Sequence, residues 1–214
     1  MTTEKTTYTD VCWTLFYSNT TFDFLDFLMP DVEYRKVQKM LRSRGWRLVN
    51  LIVYKLTGID ILRKKAIRHL QGFTRRELMR KAEDFYNNYL LPRKIDEVWT
   101  LQEGKKLTIL SGTLDIIAET VAKHLNAKKY YASTLTVDEN GVCTGEYKDL
   151  LLKKNSIEEL SPAFDIYTDN LTDLPLVMKS ENAVIVEYGN RNRWKKHLKD
   201  KTNIQFIHAA KPRY

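Results

Sequence analysis

Polar side chains that can bind a metal ion or a phosphate follow three apolar runs of the sequence. Asp10 and Thr14 follow the first run, Ser111 follows the second, and Asp169 with Asp173 follows the third. If these runs are parallel strands of one sheet, their side chains meet at its carboxyl edge, where such sheets bind ligands. Carboxylates and hydroxyls together can hold a hard cation and bind a phosphoryl group. The sequence therefore predicts one polar site built from three separate segments.

Strand patterns alternate with helical patterns along most of the chain. The predicted strands are Thr7–Cys12, Lys106–Leu110, Phe164–Thr168, Ala183–Glu187 and Ile204–Ile207. Helices are predicted between them near 93–103, 113–125, 153–160, 172–179 and 191–200. This alternation predicts an α/β fold with a doubly wound parallel sheet, which is a Rossmann-like core. Two further strand patterns, 130–136 and 142–147, flank a turn that ends in Asn-Gly and predict a hairpin at the sheet edge.

An inserted helical segment is predicted between the first two strands of the sheet. Apolar residues recur at helical spacing near 32–43, 46–57, 60–70 and 74–90, and Thr74 with Glu77 forms a capping-box pattern. We expect an α/β core of residues 1–17 and 96–214 and an α-helical cap of residues 18–95.

The predicted cap is strongly basic. Residues 35–81 contain 15 Lys and Arg against two acidic residues, a net charge of +13 in a chain whose total is +8. The rest of the chain is therefore mildly acidic. A run of Lys and Arg on helices is most often a solvated face, but the helix near 46–62 can also lie on an anionic membrane. Nucleic acid is a weaker alternative, because only net charge supports it.

The motifs together resemble those of the haloacid dehalogenase-like hydrolases. The matching residues are Asp10-x-Cys12-x-Thr14-Leu15, Ser111 after an apolar strand, and Thr168-Asp169-x-x-x-Asp173-Leu-Pro. A helical cap after the first motif is similar to the phosphoserine-phosphatase-like branch of that superfamily. The resemblance implies a Mg²⁺-dependent phosphatase that forms an aspartyl-phosphate intermediate. Its substrate would be a small or lipid-linked phosphomonoester.

The resemblance also implies catalytic roles. Asp10 would be the nucleophile, while Thr14 and Ser111 would bind the transferring phosphoryl oxygens. The family places a lysine against the nucleophile and the phosphate. Lys153 is the favoured candidate because Ile157 and Leu160 would lie on the same face of a predicted helix, and Lys154 and Lys148 remain open.

The resemblance implies a Mg²⁺ site as well. Its ligands would be Asp10, Asp169 and the backbone carbonyl of Cys12, supported by Asp173. Simpler explanations exist for the polar residues, because Asp and Ser are favoured at helix N-termini. Capping by Asp169 and Asp173 is compatible with metal binding, and Ser111 can equally be an ordinary N-cap.

Cys12 departs from the family pattern. The phosphatases of the family carry an aspartate at this position, which protonates the leaving group and then deprotonates the attacking water, and Trp13 stands where a small residue is usual. An ordinary thiol has a pKa of about 8.5, and losing general acid-base help typically costs about 10²–10⁴-fold in rate. The alternative is therefore a relative with weakened catalysis, which binds phosphate and metal or catalyses an altered reaction. Cys12 can also simply be a buried apolar residue.

The remaining composition limits the other possibilities. Two cysteines, Cys12 and Cys143, are too few for a disulfide framework, and the N-terminus lacks a signal-peptide pattern. We therefore expect a cytoplasmic protein. If the cap binds lipid, the protein would be peripheral at the membrane. No apolar stretch reaches the ~20 residues of a membrane span. The four histidines lack partners at zinc-ligand spacing, and Walker-type, G-x-G-x-x-G and G-x-S-x-G motifs are absent.

Overall fold

A seven-stranded sheet forms the centre of the computed structural model, which describes residues 5–29, 43–150, 153–189, 193–198 and 201–210. The strand order is β4-β3-β2-β1-β5-β6-β7. The strands are β1 (Thr6–Thr9), β2 (Lys106–Leu114), β3 (Lys129–Val137), β4 (Cys143–Lys148), β5 (Phe164–Thr168), β6 (Asn182–Tyr188) and β7 (Ile204–Ala209). Neighbouring strands are parallel except for the β3–β4 hairpin. The predicted parallel sheet with a hairpin at its edge is confirmed.

Helices follow the strands and fill the long connection between β1 and β2. In the described ranges they are α1 (Thr20–Leu28), α2 (Arg44–Thr57), α3 (Ile61–Ile67), α4 (Arg75–Phe85), α5 (Asp96–Gln102), α6 (Asp115–His124) and α7 (Leu174–Lys179). Thr74 and Glu77 form the predicted capping box at the start of α4. None of the helices in these ranges is both long enough and apolar enough to cross a bilayer.

The central strands bury both of their faces. Ile109 of β2 packs on one face of the sheet with Phe85 of α4 and Ile117 of α6. Its neighbour Leu110 packs on the other face with Val177 of α7 and with Trp194. Successive strand residues point to opposite faces, so strands covered on both sides become nearly continuous apolar runs. This pattern is what made the core strands recognisable in the sequence.

Strand β2 is longer than predicted and continues to Leu114. Beyond a register irregularity it pairs again with β3 through Leu114 and Ser133. Ser111 therefore lies inside the strand, and α6 begins only at Asp115. The alternative interpretation of Ser111 as a helix N-cap is wrong.

Two predicted helices of the core are not formed. Residues 153–160 contain only a 3₁₀ turn, Lys154–Ser156, in which Ser156 Oγ donates to the carbonyl of Lys153 at 2.9 Å. Asn and Ser side chains compete in this way with helical hydrogen bonds. Residues 193–198 form turns instead of the helix predicted over 191–200. The helix predicted near 32–43 falls almost wholly outside the described residues.

The helical insertion is joined to the β3–β4 hairpin by backbone hydrogen bonds. Cys143 donates its N–H to the carbonyl of Phe73 at 2.8 Å and accepts from Gly72 at 3.0 Å, while Arg75 donates to Gly141 at 2.9 Å. The two segments also approach closely at Gly145, where a Cβ would lie 3.2 Å from the Cβ of Gln71. The insertion between residues 70 and 75 therefore extends the hairpin edge as a short irregular strand would.

Candidate functional site

Asp10 lies at the carboxyl end of β1, in the middle of the sheet. Its Oδ1 accepts hydrogen bonds from the backbone of Val11 at 2.7 Å and from Ser111 Oγ at 2.6 Å. Because β1 pairs with both β2 and β5, residues that follow either neighbour can reach this carboxylate. Asp10 is only 5% exposed, yet it lines a cavity. The geometry holds one carboxylate in a fixed orientation at the edge of that cavity.

Lys154 supplies the positive charge next to Asp10. Its Nζ donates to Asp10 Oδ2 at 2.7 Å and to Asp173 Oδ2 at 2.9 Å, and its side chain is buried. Although burial alone lowers the pKa of Lys154, the charges of Asp10 and Asp173 raise it above its ordinary value, so the group stays an ammonium. Lys153, the favoured sequence candidate, is exposed, as is Lys148 at the end of β4. The preference for Lys153 failed because it assumed a helix that does not form.

The two aspartates after β5 have different surroundings. Asp173 Oδ2 accepts from Lys154 and from Thr168 Oγ1 at 2.7 Å, so its charge is compensated. Asp169 Oδ1 accepts from Thr14 Oγ1 at 3.3 Å, and Asp169 lines the cavity together with Asp10. The buried Asp10 and Asp173 thus share one ammonium, and the half-buried Asp169 is the carboxylate that Lys154 does not contact.

This charge imbalance changes the acidity of Asp169. Burial and the negative charge of Asp10 raise the pKa of Asp169 to about 8. A carboxyl group with such a pKa is mostly protonated at neutral pH unless a cation arrives to balance it. The excess of carboxylate over ammonium at the cavity wall therefore fits a divalent cation.

The protein ligands available to such a cation are few. Among the described residues, no cluster of three or more His, Cys, Asp and Glu side chains is suited to a metal ion. Mg²⁺ commonly keeps several waters and uses one or two carboxylates together with substrate phosphate. Asp10 and Asp169 meet that requirement, whereas Asp173 is engaged with Lys154 and Thr168.

Cys12 lies next to the nucleophile candidate as a half-buried thiol. Its Sγ is 2.9 Å from Thr20 Oγ1, which is in turn 2.6 Å from Thr113 Oγ1. Burial, followed by the charge of Asp10, raises the pKa of Cys12 to about 11. At neutral pH this side chain is a thiol that gives up its proton reluctantly. It lines the same cavity as Asp10 and Asp169.

A cavity of about 180 Å³ lies between the polar residues of the core and the helical insertion. The core contributes Asp10, Cys12, Gly112 and Asp169, and the insertion contributes the side chains at its other wall: Asn19, Thr21, Phe22, Asp60 and Arg63. The insertion thus faces the carboxyl edge of the sheet across this cavity.

Arg63 is a site residue that sequence reasoning missed. It is 4% exposed, and its guanidinium donates to the carbonyl of Gly112 and to Asp149 Oδ1, the latter at 2.9 Å. In the described part of the chain, its Nε has no hydrogen-bond partner. One sequence signal could have found it: Arg63 shares helical spacing with the buried Ala66, Ile67 and Leu70. This pattern is hard to recognise because other Lys and Arg residues surround Arg63 in the sequence.

Trp13 gives the loop after β1 an unusual conformation. Its φ of 56° lies in the left-handed region, which costs a bulky residue about 1–2 kcal/mol. Tyr188 compensates, because its hydroxyl donates to the carbonyl of Trp13 at 2.5 Å and its ring packs edge-on against the indole at 5.5 Å. The loop that carries Cys12 and Thr14 is therefore held in place from β6.

Comparison with known families gives a match over most of the chain. The sequence profile described as haloacid dehalogenase-like hydrolase matches residues 10–178. This range begins at Asp10 and includes Ser111, Lys154, Asp169 and Asp173. None of the curated proteins compared with the chain is similar enough in sequence to count as a relative.

Several solved structures share the fold at low sequence identity. A protein of unknown function from Bordetella pertussis Tohama I is 14% identical, with a TM-score of 0.65 over 97% of this chain and 99% of that one. Cytosolic 5′-nucleotidase IIIB bound to cytidine is 10% identical, with a TM-score of 0.62 over 95% and 80%. A phosphoserine phosphohydrolase-like protein from Francisella tularensis is 15% identical, with a TM-score of 0.55 over 94% of each chain.

Proposed function

Because this chain belongs to the haloacid dehalogenase-like hydrolases, we propose that it is a Mg²⁺-dependent phosphomonoester hydrolase with Asp10 as its nucleophile. The observation that carries this proposal is the Asp10 carboxylate, held by Ser111, Val11 and Lys154 at the wall of a cavity. A carboxylate so placed can attack phosphorus, form an acyl phosphate and release an alcohol. Water then hydrolyses the acyl phosphate and regenerates the carboxylate.

The neighbouring side chains would assist this attack. Lys154 offsets the repulsion between the carboxylate and a phosphate dianion, and Ser111 and Thr14 have hydroxyls near enough to donate to phosphoryl oxygens once a substrate displaces their present partners. When bound, Mg²⁺ would neutralise further phosphate charge, with Asp10, Asp169 and the carbonyl of Cys12 as its protein ligands.

The residues on the insertion side of the cavity favour a substrate with a small anionic group. Arg63 lines the cavity and has a buried guanidinium, a group that binds phosphate and carboxylate well. An adjoining cavity of about 420 Å³ shares Trp13, Asn19, Phe22 and Asp60 with the first. The leaving group would extend into this second space, which accommodates either a small alcohol or the headgroup end of a lipid.

A second function is favoured by one observation, the raised pKa of Cys12. A thiol that titrates near 11 supplies little general acid-base help, so the protein would bind phosphate and metal while turning over slowly or running altered chemistry. This alternative keeps the same pocket and the same ligands. It differs from the first function only in rate and in the fate of the bound phosphate.

The direct test is p-nitrophenyl phosphate hydrolysis with and without Mg²⁺. We expect Asp10→Asn to lower the rate to that of the buffer blank, because an amide cannot act as the nucleophile. A matched control is Asp165→Asn, a buried aspartate at the other end of β5 that bonds Asn182, and it should keep wild-type activity. Turnover by Asp10→Asn at the wild-type rate would contradict the assignment of the nucleophile.

The pKa of Asp169 predicts how Mg²⁺ affinity depends on pH. The folded protein must release the proton of Asp169 to bind the cation below pH 8, so binding should strengthen as pH rises from 6 to 8 and then level off. The limit is about tenfold in Kd per pH unit. Calorimetric titration with MgCl₂ in two buffers of different ionisation enthalpy measures both affinity and proton release. Affinity that is constant over this range would contradict the prediction.

A further inference from the structure

Helix α2 exposes an apolar face that the described part of the chain leaves uncovered. Leu48, Val49, Ile52 and Leu56 are 60%, 47%, 51% and 80% exposed, and Ile59 continues the row beyond the helix at 51%. These five residues are called the α2 face. Of the ten large apolar residues exposed in the described part of the chain, the α2 face and the adjacent Trp46 account for six. Single exposed apolar residues are ordinary, but a contiguous group marks an interaction surface.

The charge around the α2 face indicates an anionic partner. Helix α2 has three basic residues in its sequence, Arg44, Arg47 and Lys55, and no acidic ones. It lies within the segment 35–81, whose net charge is +13. Nearby acids are already engaged: Glu146 pairs with Lys64 and Arg68, and Asp60 accepts from Asn50. The sequence of the segment that contains the α2 face therefore has positive charge in excess.

We propose that the α2 face docks on an anionic lipid bilayer, with its apolar side chains in the interface and the surrounding cations against lipid headgroups. A helix that lies in the membrane plane has this combination of an exposed apolar row and basic flanks. Trp46 lies beside the face with Lys65 Nζ 5.3 Å from its ring centroid, and Trp and Lys are both suited to the water–lipid boundary. A second copy of the chain fits poorly, because a two-fold contact would place this basic segment against itself.

The same helix also reaches the cavities of the site. Asn50 of α2 lines the 420 Å³ cavity next to the catalytic one and bonds Asp60, a residue of both cavities. A membrane on the α2 face would therefore lie on the helix that lines the second cavity, where a lipid-linked phosphate could bind. Docking itself requires no hydrolysis, so it can succeed or fail independently of the proposed activity.

The test is co-sedimentation of the full chain with vesicles. Phosphatidylcholine vesicles containing about 30% phosphatidylglycerol should bind the protein, binding should weaken between about 0.05 and 0.5 M salt, and pure phosphatidylcholine should bind it far less. The double variant Ile52→Asp/Leu56→Asp should lose about tenfold or more in partitioning. The matched control Leu91→Asp/Met178→Asp, which changes two apolar residues exposed elsewhere, should bind like wild type.

Three results would overturn the proposal. One is no binding of wild type to the anionic vesicles at low salt. Another is equal binding by the Ile52→Asp/Leu56→Asp variant, provided that its circular dichroism and thermal midpoint match those of the control. The third is a wild-type dimer in sedimentation velocity that this variant abolishes, since the α2 face would then belong to a second copy.

Discussion

Replacing Cys12 with Asp should raise the rate of p-nitrophenyl phosphate hydrolysis by about 10²–10⁴-fold, the range that general acid-base help usually provides. The side chain at position 12 lies beside Asp10 in the cavity and is within hydrogen-bond distance of Thr20. The thiol there, with a pKa near 11, stays protonated at neutral pH and cannot take a proton from the water that attacks the acyl phosphate, a step that remains unassisted even with a good leaving group. A carboxyl group at the same place can both donate a proton to the leaving group and take one from water.

The control for this variant is Cys12→Asn, which has nearly the shape of Asp but cannot exchange a proton. We expect Cys12→Asn to be no faster than wild type. A gain shared equally by both variants would mean that shape, not proton transfer, limits the wild type. A fast wild type that Cys12→Asp slows would instead favour altered chemistry at this position.

Replacing Lys154 with Met should destabilise the protein by about 3–5 kcal/mol, the cost of leaving buried charges without their partner. Lys154 is the ammonium that contacts both Asp10 and Asp173, and the half-buried Asp169 adds a third carboxyl to the same region. Without it, these groups must take up protons or repel one another. Hydrolysis should also fall to the blank, because nothing else contacts Asp10 Oδ2 with a positive charge among the described residues. Urea denaturation followed by circular dichroism measures the loss.

The neighbouring lysine supplies a matched control. Lys153→Met changes the same residue type one position earlier, but on an exposed side chain, so its free energy of unfolding should stay within about 0.5 kcal/mol of wild type. Equal losses from both variants would contradict the burial and pairing of Lys154. A stable but inactive Lys154→Met would separate its catalytic role from its structural one.

The sheet and the aspartates could be predicted because local signals determine them. Buried parallel strands appear as apolar runs, and the residues that follow them must meet at one edge. Asp10, Ser111, Asp169 and Asp173 were found in this way, and the structure brings all four together. The spacing of these residues along the chain does not indicate which of their atoms form hydrogen bonds with which partners.

The lysine could not be chosen by the same reasoning. Lys153 and Lys154 are adjacent, and a helical pattern favoured the first, but the segment turns in a 3₁₀ conformation that buries the second. Side-chain competition by Ser156 decides that conformation, and its effect is comparable with the weak helical preference of the segment.

Arg63 shows a different limit of sequence reasoning. Its neighbours Lys64 and Lys65 are partly or fully exposed, and a run of three cations normally indicates solvent. The partners that hold Arg63, Gly112 and Asp149, are distant in sequence and become its neighbours only when the insertion folds over the sheet. Helical spacing with Ala66, Ile67 and Leu70 could indicate that Arg63 is buried, but it could not identify these distant partners.

The backbone hydrogen bonds between the β3–β4 hairpin and residues 72–75 have a consequence for how such proteins can diversify. Phe73, Cys143 and Gly141 take part through main-chain atoms, and Gly145 has no room for a side chain against Gln71. The insertion is therefore not an interchangeable module that can be transplanted alone between relatives. A chimaera that exchanges residues 70–75 should therefore exchange the hairpin with them, so that the close contact at Gly145 is kept.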